Sequence, residues 1–432
     1  MTATMAEVEA AKRKARIAEV ARSISHEFRF AAIMESGEIL VREHGVYSAG
    51  IAEGLVKREV EIAEPEESNQ FCREVMGHVE RSSIVEGRLF DRDLDIVNVE
   101  NGLWHISSGN LTPHEDDYLS RVQLDVQFDP KAAPVKIMRF LKEMLPNPDD
   151  VVNVLEDAAV CLIRDARFQK AAMYIGGGNN GKSVWLGVLT ALLGKENVAH
   201  ESLHDLGANR FSAGNLEGKL ACIFPDIAAN EISLTGKIKA VIAGDRITVE
   251  KKGLQGHPVE PFSKLFFSAN QLPVVADDSD AWFRRWRITY WPVQIETGKE
   301  NPNLLAELTD PAELSGLFNI LAALARRLIA QRRFSYTATI RQTREEWGNR
   351  ANVIKSFLSK CLNVGAELAA PSADVYASYV KFCLAQNFTP KKQTGFTEEL
   401  KTVVAVRSEV ARVNGRPSRF LKGVSLKGEG SL

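Results

Sequence analysis

A glycine-rich loop between two apolar segments constrains this chain more than any other feature. The sequence reads AAMYI, then GGGNNGKS at 176–183, then VWLGVLTALLG. The pattern predicts a buried strand, a tight loop, and a helix that ends near Gly194. Glycines let the backbone curl until successive N–H groups point at one centre, which a Cβ atom would obstruct. Because a helix N-terminus follows directly, the loop is suited to bind phosphate.

The loop also matches the pattern G-x-x-x-x-G-K-[ST] of nucleoside triphosphate sites. Lys182 can reach the β- and γ-phosphates, and the Ser183 hydroxyl can ligate Mg²⁺. The alternative is a flexible turn that happens to contain Gly-Lys-Ser, but the apolar strand and helix on either side disfavour it. We therefore predict that ATP and Mg²⁺ bind at Gly176, Gly177, Gly178, Asn179, Asn180, Gly181, Lys182, Ser183 and Val184.

Short apolar runs continue from 171 to about 293 and predict an α/β core. KLACIF, KLFFSA and WRITYW have strand length, and continuous apolar runs are typical of strands buried in a parallel sheet. Asp226 follows the first run, which we expect beside the strand of the glycine loop. There it could hold Mg²⁺ through water, or it could merely cap a loop or helix. Asn270 ends the second run and either orients the attacking water or is a turn residue.

Two basic segments complete this region. WFRRW places Arg284 and Arg285 between bulky aromatic residues, as an arginine finger or as surface charge. GDRITVEKKGLQGHPVEPF predicts a β-hairpin with Lys251, Lys252 and His257 towards its tip. The hairpin either contacts the phosphates of a nucleic acid or is a solvated turn.

The flanking segments predict mixed and helical structure. Residues 1–27 form an amphipathic helix, two strands surround the turn at Gly37, and 101–114 form a hairpin. Helical periodicity predicts four further helices, in PVKIMRFLKEML, DDVVNVLEDAAVCLIRDARF, LSGLFNILAALARRLIAQRRF and TREEWGNRANVIKSFLSKCLNV. A stretch near Pro371 then introduces a small final domain.

That final domain has the order of a winged helix. ADVYASYVKFCLAQN and TGFTEELKTVV predict two helices, and Asn414-Gly415 predicts a hairpin. Residues 391–432 contain nine Lys and Arg against four Asp and Glu, a net charge of +5. Arg412, Arg416 and Arg419 are therefore candidates for DNA phosphate contacts, and a basic solvated wing is the alternative.

Composition limits the class of protein. The 432 residues carry a formal net charge of −2, so basic groups can act only as local patches. The five cysteines form no CxxC pair, which predicts reduced thiols and no zinc knuckle. An apolar run of membrane length is absent from the sequence, and we expect a soluble cytoplasmic protein without a membrane partner.

Taken in order, these motifs resemble superfamily 3 helicases. GGGNNGKSVWLGVLTALLG, ESLHDLGANRFSAGNLEGKLACIFPDIAANE, GDRITVEKKG, FFSANQLP and WFRRW have the spacing typical of that superfamily. Within it, the chain is similar to the phage and plasmid primase-helicase group, which is related to poxvirus primase-helicases. RLFDRDLDIVNVENGLWHISSGNLTPH resembles the N-terminal domain of that group. The resemblance covers most of residues 30–425.

The resemblance implies an AAA+-related P-loop ATPase core at 151–335. A mixed helical domain at 28–150 would precede the core, and a winged-helix domain would occupy 336–432. The family further implies a ring hexamer with ATP sites between subunits and 3′-to-5′ movement on single-stranded or forked DNA. Carried over by motif, Lys182 and Ser183 bind ATP and Mg²⁺, Asp226 is the Walker B acid and Asn270 the sensor. Lys251 and Lys252 contact DNA, and Arg284 or Arg285 acts across the interface.

Two departures from the family pattern stand out. Many relatives carry paired acids at the Walker B position, whereas Ile227 follows Asp226 here, and Glu231 is a candidate general base. The carboxylates and zinc ligands of a primase do not occur upstream, so a separate primase or polymerase is an expected partner. The expected function is a replicative helicase of a phage, virus or plasmid. A DNA-binding initiator or packaging factor that uses ATP to assemble is the alternative, and a small-molecule kinase is disfavoured.

Overall fold

The structure is a computed structural model of the chain. It describes residues 5–115, 117–227, 232–250, 256–351, 353–385, 390–413 and 416–427. For residues 6, 349–351 and 411–418 within these ranges, only the backbone is described. Glu231, Lys251, Lys252, Asn414 and Gly415 lie outside the described residues, and what the sequence predicts for them stays a prediction.

Three helices and a small sheet form the N-terminal part. The helices are α1 (Met5–Glu27), α2 (Ala52–Ala63) and α3 (Asn69–Ser82). The sheet has the order β3-β2-β1-β4 and contains β1 (Phe30–Ile33), β2 (Ile39–Glu43), β3 (Val46–Ala49) and β4 (Ile84–Val85). In α1, Ile17, Val20, Ala21 and Ile24 recur at helical spacing and pack in one cluster with α2 and α3. The predicted N-terminal helix and the strand pair around Gly37 are confirmed.

A second antiparallel sheet leads towards the centre of the molecule. It consists of β5 (Ile96–Val99), β6 (Gly102–His105) and β7 (Leu111–Thr112), which confirms the predicted hairpin. Two predicted helices follow as α4 (Val135–Met144) and α5 (Pro148–Ala159). The apolar period after α5 continues to residue 168 in the sequence, but the helix itself ends at Ala159 in a 3₁₀ turn, Val160–Leu162.

The central sheet confirms the predicted α/β class. Its five strands are all parallel, in the order β14-β8-β13-β10-β9. They are β8 (Ala171–Ile175), β9 (Val198–Ala199), β10 (Ala221–Phe224), β13 (Lys264–Ala269) and β14 (Trp286–Tyr290). Every residue of β8 and β13 is buried. Burial on both faces explains why these strands read as continuous apolar runs.

Helices cover both faces of this sheet. They are α6 (Lys182–Leu193), α7 (Leu203–Ala208), α8 (Gly236–Ala243), α9 (Asp280–Phe283), α10 (Leu304–Leu308) and α11 (Pro311–Gln331). In β8, Ala172 and Tyr174 face one core with α4, α5, α6 and α11. Ala171, Met173 and Ile175 face the opposite core with α7, α8 and α9. The alternation follows from the two-residue period of a strand.

The lateral position predicted for the strand before Asp226 was wrong. We expected β10 beside β8, but β13 lies between them. Parallel neighbours are joined by crossovers, and a crossover can skip a position that a later strand fills. Asp226 therefore lies at the predicted edge of the sheet, but one strand further from the glycine loop.

Two strands, β11 (Ile247–Val249) and β12 (His257–Val259), confirm the predicted basic hairpin outside the central sheet. Near the C-terminus, the single helix predicted at 343–364 divides into α12 (Ile340–Ala351) and α13 (Val353–Cys361), and residues 362–364 belong to a strand. The residue between the two helices lies outside the described part of the chain. The helix prediction is therefore corrected at its C-terminal end.

The C-terminal part packs two helices on a three-stranded antiparallel sheet. The elements are β15 (Leu362–Pro371), α14 (Ser372–Ala385), α15 (Gln393–Val403), β16 (Arg407–Val413) and β17 (Arg416–Leu426). Phe357, Tyr379, Phe396 and Leu421 form part of its core. The predicted helices and hairpin are confirmed. The stretch near Pro371 is the end of β15, a strand that the sequence did not predict because most of its residues are exposed or half-buried.

Candidate nucleotide-binding site

The glycine loop connects the end of β8 to the start of α6. Gly181 has a φ of 79°, and Asn179 has a φ of 57°, so the chain turns through left-handed conformations. A Cβ atom at Gly181 would lie 2.9 Å from the Phe140 ring, and one at Gly176 would lie 2.4 Å from the Trp291 carbonyl oxygen. Glycine is therefore required at both positions, and the loop keeps an open concave backbone.

The two asparagines of the loop fasten it to the segment after β14. Asn179 donates through its amide to the carbonyl of Ile295, at 2.8 Å, and to Glu300, at 2.9 Å. Asn180 donates to the Trp291 carbonyl at 3.3 Å. The two side chains thus help to hold the loop in place against the segment after β14. Sequence reasoning missed Trp291, Ile295 and Glu300, because they are more than a hundred residues away and match no motif.

Lys182 is folded back into the loop. Its ammonium donates to the carbonyls of Gly176, at 2.7 Å, and Gly177, at 3.3 Å, and to Asn180 Oδ1, at 2.9 Å. The residue is 6% exposed. Burial lowers the pKa of Lys182 to about 8, and the nearby Asp226 carboxylate offsets part of that shift. A cation is therefore held at the point where the loop and the helix N-terminus meet.

The predicted magnesium and sensor residues lie at the same edge of the sheet as the loop. Ala269 is level with Ile175 in the parallel pairing, so Asn270 follows β13 at the height at which Gly176 follows β8. Phe224 is level with Phe267, and Asp226 comes two residues later. Asp226, Asn270 and Ser183 are all exposed. Adjacent strands lie about 4.8 Å apart, so Asp226 stands on the order of two strand spacings from the loop.

Asp226 has no adjacent acid in the described structure. Ile227 is buried and packs in the core on the α7 and α8 side of the sheet. Its backbone N–H donates to the Ser268 carbonyl at 2.9 Å, which holds the end of β10 against β13. Val184, by contrast, is half-buried and packs against the core on the other face, so it orients α6 by packing.

The structure separates the two candidate arginines. Arg285 is buried, and it donates to the Lys239 carbonyl at 3.2 Å and to the Ala281 carbonyl. Burial lowers the pKa of Arg285, and the charge of Arg284 lowers it further. The side chain of Arg284 is exposed at the end of α9, where it makes no ion pair with the described residues. An arginine that reaches a neighbouring molecule needs this exposure.

The candidate DNA contacts are described in part. His257 is the first residue of β12 and pairs with Val249, next to the loop of the hairpin, as the sequence suggested. Its Nε2 is 2.9 Å from Glu217, so this end of the hairpin contacts the rest of the core. Arg419 is exposed on β17, whereas Arg412 and Arg416 are described by their backbone alone.

Among the described residues, no cluster of His, Cys, Asp and Glu suited to a metal ion occurs, and none of the helices has the length and apolar character of a membrane span.

Three family profiles match successive parts of the chain. Residues 7–146 match the D5 N terminal like family, and 349–422 match the Poxvirus D5 protein-like family. Between them, 174–285 match a family of unknown function, DUF5906. The N-terminal and C-terminal matches together support a D5-like primase-helicase family for this chain. The predicted resemblance to the poxvirus-related primase-helicase group is thereby confirmed.

Curated relatives of this D5-like chain are named as helicases. It is 25% identical over 219 residues to "Putative helicase 121R" of Invertebrate iridescent virus 3, an alignment that covers 46% of the chain and 23% of that protein. It is 26% identical over 216 residues to "Putative helicase L207/L206" of Acanthamoeba polyphaga mimivirus, covering 46% and 22%. The chain thus matches less than a quarter of the length of these relatives.

Solved structures share the fold of this D5-like chain. The C-terminal region of NrS-1, residues 305–718, matches with a TM-score of 0.52 at 12% identity, over 95% of this chain and 99% of that one. A second structure of the same region matches with a TM-score of 0.51 over 94% and 98%. At this identity the likeness concerns the fold alone.

Proposed function

We propose that this D5-like chain is an ATP-dependent DNA helicase of replication that moves along single-stranded DNA as a ring hexamer. One observation carries the proposal. The glycine loop holds the cation of Lys182 at the sheet edge where Asp226 and Asn270 are exposed. Matches to viral proteins named as putative helicases support the class of reaction.

The residues at this edge fit a magnesium-bound triphosphate. Gly176 and Gly181 let the loop pack closely against Trp291 and Phe140, and a glycine loop that leads into a helix N-terminus is suited to bind phosphate. Lys182 would contact the phosphate oxygens, and the exposed hydroxyl of Ser183 and carboxylate of Asp226 would hold Mg²⁺. Bound Mg²⁺ neutralises charge on the phosphates. Asn270 would position the attacking water by its amide.

The exposure of Arg284 supports an ATP site between subunits. Of the two candidates, Arg284 can leave its own subunit, whereas Arg285 is held inside by the backbone of α8 and α9. We therefore assign Arg284 as the arginine that contacts a neighbour's nucleotide. Such a residue stabilises charge in the transition state and can raise the rate by roughly 10³ to 10⁵.

For DNA, the proposal relies on the hairpin and the C-terminal sheet. The loop end of the hairpin contacts the core through His257, which lies next to Glu217, and through Glu250, which pairs with Arg210 at 3.6 Å. These contacts would couple the hairpin loop to the core when the loop binds a strand of DNA. Lys251 and Lys252 at the tip, and Arg419 on β17, would then contact phosphates.

The test is ATPase activity with and without single-stranded DNA, together with unwinding of a forked duplex. We expect ATP hydrolysis that DNA stimulates and a forked substrate that opens. Lys182→Ala should abolish both activities and keep the fold, because the hydrogen bonds lost with the ammonium are confined to the glycine loop itself. Near-parental hydrolysis in that variant would contradict the assignment of the loop.

The same assay separates the competing functions. An initiator or packaging factor would bind DNA and assemble with ATP, but would leave the fork closed. A small-molecule kinase would show hydrolysis that DNA does not change. Lys57→Ala is a suitable control, because Lys57 pairs with Glu53 on the exposed surface of α2, away from the residues assigned to nucleotide or DNA.

A further inference from the structure

A cleft runs along the free edge of the central sheet, apart from the residues assigned above. Its volume is about 280 Å³, and it lies between the start of α5, the edge strand β14, and the chain from Tyr336 into α12. Its polar lining includes Asp149 and Asp150 at the start of α5, Thr289 on the strand, and Glu346 on α12. The motifs of the sequence do not account for these residues.

The edge strand presents its backbone to this cleft. The Arg285 carbonyl accepts from the Ala171 N–H, and the Trp291 N–H donates to the Ile175 carbonyl, both at 2.8 Å. In a parallel pair, alternate residues bond to the same neighbour, so 285, 287, 289 and 291 face β8. The N–H and carbonyl of Ile288 therefore point away from β8. Ile288 lines the cleft.

A buried hydroxyl in the cleft has no partner among the described residues. Thr289 is 1% exposed, and its Oγ1 makes no hydrogen bond there. Most buried polar groups in proteins are hydrogen-bonded, and an exception calls for an explanation. Asp150 is half-buried close by, where Asn147 donates to it at 3.3 Å. Asn153 is a second hydrogen-bonding neighbour of Asp150. A ligand in the cleft would satisfy the Thr289 hydroxyl and donate to the Asp150 carboxylate.

The cleft begins one strand away from the glycine loop. Tyr290 is level with Ile175, the residue just before Gly176. Neighbouring strands are about 4.8 Å apart, a separation that a ribose can bridge. The next residue, Trp291, accepts from Asn180 of the loop. A nucleotide with its phosphates on the loop can therefore extend its nucleoside towards this cleft.

We propose that this cleft is the nucleoside subsite of the ATP site, in which Asp150 accepts a hydrogen bond from the exocyclic amine of adenine and the Ile288 backbone pairs with the base edge. The proposal rests on the proposed nucleotide function of the loop. The edge of adenine carries a hydrogen-bond donor, its amine, next to an acceptor, a ring nitrogen. A neighbouring strand would offer the backbone of Ile288 the same two kinds of group. The Thr289 hydroxyl would then bind the ribose or the base.

The first test compares ATP with inosine triphosphate, which carries an oxygen in place of the amine, and with inorganic tripolyphosphate. We expect the parent to bind ATP more tightly than inosine triphosphate. Asp150→Asn should reduce that preference roughly tenfold, the size of one charged hydrogen bond, and leave tripolyphosphate binding unchanged. Asp374→Asn is the matched control, because Asp374 is an exposed acid in the first turn of α14. It should change none of the three affinities.

The second test needs no substitution and covers the case of a variant that does not fold. Photolysis with 2-azido-ATP, followed by mass spectrometry, should label peptides that contain 147–153, 286–290 or 336–346. An unchanged preference in folded Asp150→Asn, or labelling confined to other peptides, would overturn the nucleoside subsite while leaving the loop assignment intact. If the parent binds neither ATP nor tripolyphosphate, the proposed function itself fails.

Discussion

At the scale of single residues, the charge of Lys182 decides how the site responds to pH. The ammonium is buried among three oxygens of its own loop, and burial lowers its pKa to about 8. The neutral form is therefore populated above that pH, well below the range in which a solvated lysine loses its proton. Phosphate binding depends on the charged form.

We accordingly predict that kcat/KM for ATP hydrolysis falls as the pH rises through about 8. This parameter reports groups of the free enzyme, which is the state that the pKa of Lys182 describes. Initial rates between pH 7 and pH 9.5 at fixed ionic strength would measure it. Lys182→Arg keeps its charge over this range and should remove the decline, even at a lower rate. A flat profile in the parent would contradict the prediction.

We expect alanine substitutions at the two adjacent arginines to have different effects, one on activity and the other on stability. Arg284→Ala should lose hydrolysis and keep its stability within about 0.5 kcal/mol, as is usual for an exposed side chain. Arg285→Ala should lose about 1–3 kcal/mol of unfolding free energy, because a buried guanidinium and its hydrogen bonds to two partly buried carbonyls are removed. Denaturant titration and ATPase rates on the same samples measure both. A destabilised Arg284→Ala protein with normal specific activity would reverse the assignment.

The sequence predicts roles for Lys182 and Ser183 because the motif is local and involves adjacent residues, and the structure places both at the start of α6 after the glycine loop. The sequence could not distinguish Arg284 from Arg285. Their difference depends on which side of a short helix end faces α8, and this is a property of the packed fold. The same holds for Trp291, which supports the loop from a position that no motif marks.

At the scale of elements, a buried charge network ties α5 to β14 and α11. Glu156 is fully buried and accepts from Arg327, from Arg287 at 3.3 Å, and from the Ser335 N–H at 2.8 Å. Asp157 accepts from Arg287 beside it. Burial raises the pKa of Asp157, and Arg287 counteracts the shift. The network holds the helix that borders the edge-strand cleft.

We predict that Glu156→Gln lowers the free energy of unfolding by roughly 3–5 kcal/mol, because it removes the buried carboxylate charge that pairs with Arg327 and leaves Arg287 with Asp157 alone. Glu345→Gln is the control. Glu345 pairs with Arg341 on the exposed face of α12, and its loss should leave the unfolding midpoint unchanged. Equal midpoints for Glu156→Gln and the parent would show that the network adds nothing to stability.

Strand positions follow from burial, but their lateral order does not. The runs of β8, β10, β13 and β14 were predictable because burial on both faces demands apolar residues throughout. The place of β13 between β8 and β10 depends on crossovers, whose paths leave no pattern in the sequence. β15 was missed because its exposed and half-buried residues give neither an apolar run nor a clear alternation.

At the scale of the whole molecule, one hydrophobic core joins regions that the predicted boundary at residue 150 separates. Val97, Trp104 and Leu124 share a cluster with Trp185 of α6 and Phe318 of α11. The boundary stays a prediction, but residues on either side of it pack together. A movement of α6, the helix that follows the glycine loop, would therefore change the packing of the segment that contains β5 and β6.

Assembly of the proposed ring should appear in the kinetics. If Arg284 acts on a neighbour's nucleotide, specific ATPase activity should rise with protein concentration at low concentration. Mixing Arg284→Ala with Lys182→Ala should restore part of the activity, because hybrid interfaces combine one intact loop with one intact arginine. Light scattering on the same samples gives the oligomeric state. Constant specific activity in a proven monomer, with no recovery on mixing, would exclude action between subunits.

All six tryptophans of the chain are buried, including Trp291 beside the loop and the group of Trp282, Trp286 and Trp347 on the opposite face of the sheet. Indole emission shifts to longer wavelength when water reaches the ring. The Trp291 ring packs at 6.4 Å from Phe140 and 6.0 Å from Tyr174, and its carbonyl supports the loop. The native protein thus contains an intrinsic fluorophore beside its proposed nucleotide site, which allows nucleotide titrations without a label.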